Sequence, residues 1–334
     1  MQDVYALTRS LIDIESITPN EAAVGEFLAN HLEKLTSRYN GTVEKLHVEE
    51  NRFNIFASFG NPVVTLSTHL DTVPPFIPSK EDDENIWGRG ACDVKGIIAT
   101  MVKAAELLLA SGENRFGLLF VVGEERNSAG AYAAARTPRG SKFLINGEPT
   151  ENKLAVGSKG AYRFELIAKG RMAHSAYPEL GDSAINKLLD ALAQVRALSL
   201  PTDALLGPST LNIGTITGGR APNVISDAAK AELFIRLIDD GASIRELLQR
   251  TITSVELREV LCIPAVHLGT LPGFETMVAA YTTDIPAFGG AWGKPYLMGP
   301  GTIHVAHTEH EHVPKRQLVE AVGIYQSMVK QLLS

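Results

Sequence analysis

His69, in the segment Thr-His-Leu-Asp-Thr-Val-Pro, is the first of several metal-binding residue types that follow apolar runs. The composition of residues 63–67, 116–122, 142–146 and 296–298 is typical of buried strands. His69 follows the first run, Glu124 and Glu125 the second, Glu148 the third and His307 the fourth, while Asp93 opens a predicted helix. Because the carboxyl ends of strands in an open α/β sheet share one edge, these side chains can converge there. Two imidazoles and several carboxylates predict a site for zinc, cobalt or manganese.

Five short motifs carry a resemblance to a known family. They are Ser-Thr-His-Leu-Asp-Thr-Val-Pro (67–74), Gly-Arg-Gly-Ala-Cys-Asp-Val-Lys-Gly (88–96), Gly-Glu-Glu (123–125), Gly-Glu-Pro-Thr (147–150) and Gly-Pro-Gly (299–301) leading to Ala306-His307. In this order, and over nearly the whole chain, the sequence resembles the di-zinc hydrolases that include acetylornithine deacetylase, succinyl-diaminopimelate desuccinylase, aminoacylase and glutamate carboxypeptidase. The resemblance implies a zinc-exopeptidase-like catalytic domain.

The resemblance also implies a ligand set for two divalent metal ions, with zinc expected and cobalt or manganese as alternatives. His69 and Glu148 would hold one ion, Glu125 and His307 the other, and Asp93 would bridge both. A water held by zinc has its pKa lowered to about 7 and becomes a strong nucleophile. Glu124 would act as general base toward that water.

Two further features are implied around these ligands. Asp71 resembles the carboxylate that accepts the free N–H of a ligand imidazole, here His69. A cis peptide is expected after Asp93, and Gly88 and Gly90 would permit the tight turns that precede it.

The loop that carries His307 contains three more histidines, so the assignment of the last ligand depends on the surrounding motif. Only His307 stands in the Gly-Pro-Gly…Ala-His frame. We expect His304, His310 and His312 to be exposed loop residues. His310 occupies a position that is aspartate in many relatives, although Glu311 beside it matches the family.

The composition suggests a globular protein of two domains that acts on a small molecule. The chain has 334 residues, of which 45% are hydrophobic, and a mean hydropathy of +0.02. Neither a membrane-spanning run nor a secretion signal appears, so we predict a cytoplasmic protein. Only two cysteines, Cys92 and Cys262, are present, and a disulfide framework is therefore not indicated. The net charge of −7 without a basic cluster argues against nucleic acid or a membrane as partner.

Alternating strands and helices as far as Glu148 predict an α/β domain whose mostly parallel sheet is covered by helices. A helix is predicted at the N-terminus. A second should begin at Thr18-Pro-Asn-Glu, with Thr18 as the cap and Glu21 closing a capping box. The apolar stripe of residues 315–333 predicts a closing amphipathic helix.

The pattern changes between the third and fourth ligand-bearing strands. Strands are predicted at 161–168, 209–217, 229–237 and 257–268, and helices at 182–197 and 244–255. This β-α-β-β-α-β order predicts a ferredoxin-like α+β domain. We therefore expect a catalytic domain of residues 1–157 and 270–334, and an inserted lid or dimerisation domain of residues 158–269.

Three residues of the inserted domain resemble family positions that serve the substrate. His174, in Gly-Arg-Met-Ala-His-Ser-Ala-Tyr-Pro, resembles a histidine that reaches a neighbouring active site and polarises the scissile carbonyl. Asn223 and Arg236 match a stretch that seats the substrate, with Arg236 bound to its α-carboxylate. Ser226 replaces the proline usual beside Asn223. In relatives that carry this lid the inserted domain forms a homodimer, which would bring His174 to the partner's metals.

The sequence therefore predicts a metal-dependent amidohydrolase that removes an acyl group from an N-acyl amino acid, as acetylornithine deacetylase does. A succinyl-diaminopimelate desuccinylase and a small carboxypeptidase or dipeptidase remain alternatives. In the family that this chain resembles, the aminopeptidase branch usually carries aspartate at the position of Glu148, so the resemblance favours acylases and carboxypeptidases over aminopeptidases. A binding protein without activity is the alternative of another class, but it should lack a ligand or the base, and this chain has the full set.

Overall fold

The computed structural model describes residues 3–334, which form two compact units. The first unit comprises the chain up to Val156, Leu268–Met277 and Thr283–Ser334, and the second comprises Gly157–His267 and Val278–Thr282. The short segment Val278–Thr282 therefore belongs to the second unit, whereas the predicted boundaries put it in the catalytic domain.

The described residues contain eight α-helices and twenty strands. The helices are α1 (Val4–Ile12), α2 (Ala22–Tyr39), α3 (Gly96–Ala110), α4 (Ala129–Ala135), α5 (Ala184–Arg196), α6 (Ala242–Thr251), α7 (Ile285–Phe288) and α8 (Lys315–Leu333). The strands are β1 (Thr42–Glu49), β2 (Arg52–Phe59), β3 (Val64–His69), β4 (Lys80–Glu81), β5 (Asn85–Trp87), β6 (Phe116–Val121), β7 (Phe143–Asn146), β8 (Leu154–Ser158), β9 (Gly160–Lys169), β10 (Ala173–His174), β11 (Thr202–Asp203), β12 (Gly207–Pro208), β13 (Thr210–Gly218), β14 (Val224–Ile225), β15 (Ala228–Leu237), β16 (Glu256–Ile263), β17 (Val266–His267), β18 (Thr276–Ala279), β19 (Lys294–Leu297) and β20 (His312–Pro314). None of these helices combines the length and apolar character needed to cross a bilayer.

The first unit is built on a six-stranded sheet in the order β1-β2-β6-β3-β7-β19. The last four strands in that order run parallel, and the hairpin of β1 and β2 joins them antiparallel. His69 pairs with Val121, and Asn146 pairs with both Ser67 and Leu297. The four predicted ligand-bearing strands therefore end along one edge of one sheet, which confirms the predicted α/β fold.

Side chains of β6 alternate between two apolar cores, one on each face of this sheet. Leu118 and Phe120 pack in the core that includes α1, α2, α3 and α8. Leu119 and Val121 pack in the opposite core with α4, α7 and Trp292. Burial on both faces explains why the central strands are continuous apolar runs rather than alternating ones.

The predicted start of the second helix is wrong. α2 begins at Ala22, its N-cap residue Glu21 makes no side-chain capping bond, and the Thr18–Pro19 peptide is cis. The hydroxyl of Thr18 donates to Asp71, and the carboxylate of Glu21 pairs with Arg52. Tertiary partners thus replace the local capping box.

The second unit contains a four-stranded antiparallel sheet in the order β13-β15-β9-β16. In chain order its elements are β9, α5, β13, β15, α6 and β16, which is the predicted ferredoxin-like arrangement. Leu188 and Leu192 of α5 and Ile244 and Leu248 of α6 share one core with the sheet.

Candidate metal centre

Asp93 lies in a tight turn, Ala91–Lys95, that leads directly into α3. Gly88 and Gly90 before it have φ values of 138° and 87°, a region that side chains disfavour, and the peptide after Asp93 is cis as expected. A Cβ at position 90 would meet the side chain of Lys95 at 2.9 Å. The glycines therefore allow the turn that presents the carboxylate at the edge of the sheet.

The two oxygens of the Asp93 carboxylate face two different histidines. Oδ1 lies 3.1 Å from Nε2 of His69, and Oδ2 lies 3.2 Å from Nε2 of His307. Nε2 of His307 is also 3.0 Å from Oε1 of Glu125. A carboxylate placed in this way can bridge two neighbouring cations.

The five predicted ligands form two overlapping groups that share Asp93. One group is His69, Asp93 and Glu148, and the other is Asp93, Glu125 and His307. Within each group the potential ligand atoms all lie within 4.8 Å of one another. The structure thus brings together side chains separated by more than 200 positions in the sequence.

Charge and hydrogen bonding at this cluster fit divalent cations. Oε1 of Glu148 is buried and has no hydrogen-bond partner among the described residues. Burial raises the pKa of Glu148 well above its ordinary value and raises the pKa of Glu125, and nearby carboxylates add to both shifts. The raised pKa values mean that the surrounding residues do not fully stabilise the charged forms of these carboxylates. Imidazole nitrogens and carboxylate oxygens are suitable donors for zinc, cobalt or manganese.

The histidines compensate part of that charge. Hydrogen bonds to Asp93 and Glu125 raise the pKa of His307 to about 10. Burial pushes the pKa of Asp93 upward, but His307 and His69 more than offset this and hold it below its ordinary value. A metal ion that binds His307 must displace the proton that this raised pKa retains, which couples metal affinity to pH.

Asp71 is fully buried and organises the turn that follows β6. Its Oδ1 accepts the backbone N–H groups of Gly123 at 3.0 Å and Glu124 at 3.1 Å, and its Oδ2 accepts that of Glu125 at 3.1 Å. Nδ1 of His69 lies 2.9 Å from the backbone carbonyl of Asp71 and 3.5 Å from its Oδ1. Besides the ring of His69, Asp71 therefore contacts the backbone of both glutamates at positions 124 and 125.

Glu124 is adjacent to the cluster but is a member of neither ligand group. Burial, together with the charges of Glu148, Asp284 and Glu125, raises the pKa of Glu124 well above its ordinary value. A carboxylate with a raised pKa beside the metal ligands is suited to accept and return a proton.

The remaining histidines of the C-terminal loop are in neither ligand group. His304 and His310 are exposed, as expected. His312 is not an exposed loop residue, because it lies in β20 and packs on Trp87 with ring centroids 4.3 Å apart. The ring contact joins two residues that are paired across β20 and β5.

Asp284 is a buried carboxylate near the cluster that the sequence analysis missed. Burial raises its pKa to about 7, a hydrogen bond with Ser128 opposes this shift, and the charges of Asp71 and Glu125 add to it. The only sequence signal is an acid directly before the apolar run Ile-Pro-Ala-Phe.

Two of the three candidate substrate residues are neighbours in the second unit. His174 pairs with Val224 between β10 and β14, and the N–H of Ser175 donates to the carbonyl of Asn223 at 3.0 Å. The side chains of His174 and Asn223 are exposed. Ser226 next to this region is buried and donates to the carbonyl of Ala228 at 2.7 Å.

Arg236 lies in a surface cavity of about 480 Å³ on the sheet of the second unit, together with Thr210, Asn212 and Phe234. Its guanidinium stands 4.8 Å from the centroid of the Phe234 ring, and no carboxylate of the described residues forms an ion pair with it. Partial burial lowers its pKa. The same cavity is also lined by Arg163 and Glu232, which pair with each other.

Comparison with known proteins identifies the class. Residues 65–331 match the sequence model of Peptidase family M20/M25/M40, and the chain belongs to this family. It is 41% identical to a peptidase M20 domain-containing protein of Schizosaccharomyces pombe, over 98% of this chain and 84% of the relative. It is 40% identical to a probable carboxypeptidase of Aspergillus clavatus, over 97% of this chain and 81% of the relative. The protein is thus a metal-dependent hydrolase of peptide or amide bonds.

Solved structures show the same fold. The aminopeptidase PepT of Bacillus cereus matches with a TM-score of 0.81 at 18% identity, covering 99% of this chain and 98% of that one. The YXEP protein of Bacillus subtilis, described as a dinuclear metal-binding peptidase of family M20, matches with a TM-score of 0.70 at 16% identity, covering 98% and 96%.

Proposed function

We propose that this protein binds two divalent metal ions and hydrolyses an amide bond next to a free α-carboxylate, as a small carboxypeptidase or dipeptidase. The observation that supports it most strongly is the pair of ligand groups that share Asp93. Relatives named probable carboxypeptidases, which are 36–40% identical to this chain, favour a peptide over other amides.

In this proposal the metal ligands are assigned as the overlapping groups suggest. His69 and Glu148 would hold one ion, Glu125 and His307 the other, and Asp93 would be shared between them. Zinc is the proposed metal. When bound, the ions supply Lewis acidity for the scissile carbonyl and lower the pKa of the attacking water.

Glu124 is the proposed general base. Its carboxylate would accept a proton from the attacking water as the C–O bond forms. It would then return that proton to the nitrogen of the leaving amine as the amide C–N bond breaks. Asp71 accepts the N–H groups of both glutamates and so fixes the turn from which Glu124 would act on the water and Glu125 would bind a metal ion.

The second unit supplies the proposed substrate contacts. The unpaired guanidinium of Arg236 would bind the substrate α-carboxylate, for which its planar fork of N–H donors is suited. Asn223 would assist in seating the substrate, and His174 would donate to the scissile carbonyl oxygen. In a homodimer His174 would serve the site of the partner.

Removal of an acyl group from an N-acyl amino acid is the second candidate. Such a substrate carries the same α-carboxylate as a peptide with a free C-terminus, so Arg236 would bind it in the same way. The two candidates differ only in the acyl side of the scissile bond.

A substrate panel tests this proposal. Protein loaded with zinc, cobalt or manganese would be assayed on dipeptides and tripeptides, on the same peptides with amidated C-termini, and on N-acetyl and N-succinyl amino acids. We expect hydrolysis of the free peptides, loss of activity on their amides, and the same loss on free peptides in Arg236→Met. Equal rates on free and amidated peptides would contradict recognition of the carboxylate.

A further inference from the structure

We propose that the buried ion pair between Arg89 and Glu311 is a positioning clamp that sets the metal affinity of the group Asp93, Glu125 and His307. This inference rests on the proposed two-metal site. Neither Arg89 nor Glu311 is a ligand in it. The pair acts instead on the backbone segments that carry two of the three ligands.

The first half of the clamp holds the loop of His307. Nη1 of Arg89 lies 2.6 Å from Oε2 of Glu311, and the two side chains are 2% and 0% exposed. The same Nη1 donates to the carbonyl of Thr308, the residue after His307, at 3.2 Å, and Nε donates to the carbonyl of Pro75. The guanidinium therefore fixes the segment that follows His307, through Thr308 and Glu311.

The second half holds Asp93. Oε1 of Glu311 accepts the backbone N–H of Asp93 at 3.2 Å, while Oε2 accepts from Arg89. The N–H of Gly88 donates to the backbone carbonyl of Glu311 at 3.1 Å. One carboxylate thus joins the turn of the bridging ligand to the loop of the terminal ligand, across 218 positions of sequence.

His307 needs such support more than the other histidine does. His69 is the last residue of a fully buried strand, whereas the side chain of His307 is 49% exposed and its backbone has a φ of 64°. Local backbone structure alone does not fix the distance between His307 and Asp93, and the clamp supplies the missing restraint. In the other ligand group, which contains His69, Asp93 and Glu148, the clamp contacts only Asp93.

A stabilising role alone does not explain this pair. Removing two charges from water costs about as much as their attraction returns, so a buried pair is weak evidence for stability. The first unit contains another buried pair, Arg52 with Glu21, at 2.6 Å and with 7% and 1% exposed side chains. The carboxylate of Glu21 pairs with Arg52 and with no ligand residue, so Glu21→Gln is a matched control for the loss of a buried ion pair.

The test is a zinc titration of the full-length protein against a chromophoric chelator, which resolves two affinities without using activity. We expect Glu311→Gln to weaken one of the two sites by about 10–100-fold, the range typical of partners that orient metal ligands, and to change the other site far less. Arg89→Lys keeps the positive charge but loses the guanidinium fork, and we expect a smaller loss at the same site. Glu21→Gln should lower the unfolding temperature and leave both affinities unchanged.

Unchanged affinities in Glu311→Gln, an equal loss at both sites, or the same loss in Glu21→Gln would overturn the clamp. If Glu311→Gln does not fold, Arg89→Lys decides the question, and unchanged affinities in that variant would have the same meaning. A wild-type protein that binds two ions but hydrolyses no amide would contradict the proposed function and leave the clamp to be judged by the titration alone.

Discussion

The hydroxyl of Thr18 donates a hydrogen bond of 2.7 Å to Oδ2 of Asp71, although 53 positions separate the two residues in the sequence. The same carboxylate accepts the N–H groups of Gly123, Glu124 and Glu125. A residue outside the ligand set therefore helps to hold the turn on which the proposed base and one proposed ligand stand.

Replacing Thr18 by valine should disturb this turn. Burial pushes the pKa of Asp71 upward, but hydrogen bonds from His69 and Thr18 hold it below its ordinary value, so the hydroxyl serves a charged acceptor. We expect Thr18→Val to lower the free energy of unfolding by about 1.5–3 kcal/mol and to reduce kcat. Thr18→Ser keeps the hydroxyl and is the control. The interpretation fails if serine and valine have the same effect in urea unfolding and in the assay.

The adjacent glutamates should separate base chemistry from metal binding. Glu124→Gln removes the proton acceptor and should lower kcat by about 10²–10⁴-fold while both metal ions remain bound. Glu125→Gln should instead lower the metal content of one site. Elemental analysis beside the kinetic assay distinguishes the two. The reverse pattern would mean that the two roles have been exchanged.

His174→Ala should lower kcat strongly and leave the metal content unchanged, because the proposed role of His174 is to stabilise the transition state. If the second unit forms a homodimer, mixing inactive His174→Ala with inactive Glu124→Gln chains should restore part of the activity. Some sites would then combine an intact Glu124 with an intact His174 from the other chain. A fully active monomer rules out this trans arrangement, and an unimpaired His174→Ala removes the residue from the mechanism.

Asp284 should make the stability of metal-free protein depend on pH. Its folded-state pKa is raised from 3.8 to about 7, so its contribution is fully present below pH 4 and is lost as pH rises through 7. Asp284→Asn removes this loss and should stabilise the protein more at pH 8 than at pH 4.5. Urea unfolding at both pH values is the measurement, and an equal effect at both would contradict it.

The sequence predicted the elements that depend on local pattern. Strands β3, β6 and β7 were recognisable because nearly all of their residues are buried, and His69 and Glu148 lie at or just after the ends of two of them. The ferredoxin-like unit was recognisable from the alternating apolar residues of its strands.

Features that depend on distant partners were not predictable from local patterns. The capping pattern at Thr18 is a valid local signal, but the hydrogen bond to Asp71 and the Glu21–Arg52 pair replace it. The pairing of Arg89 with Glu311 spans 222 positions and has no local signature. Asp284 is a single acid whose surroundings only the folded chain reveals.

Counting bound metal ions tests the central claim most directly. Protein equilibrated with zinc and freed of excess ion would be analysed for metal per chain in the wild type and in two variants. The shared position of Asp93 predicts two ions in the wild type, one in His307→Ala and a severe loss of both in Asp93→Ala. A maximum of one ion in the wild type, or an unchanged count in His307→Ala, would contradict the two-metal site.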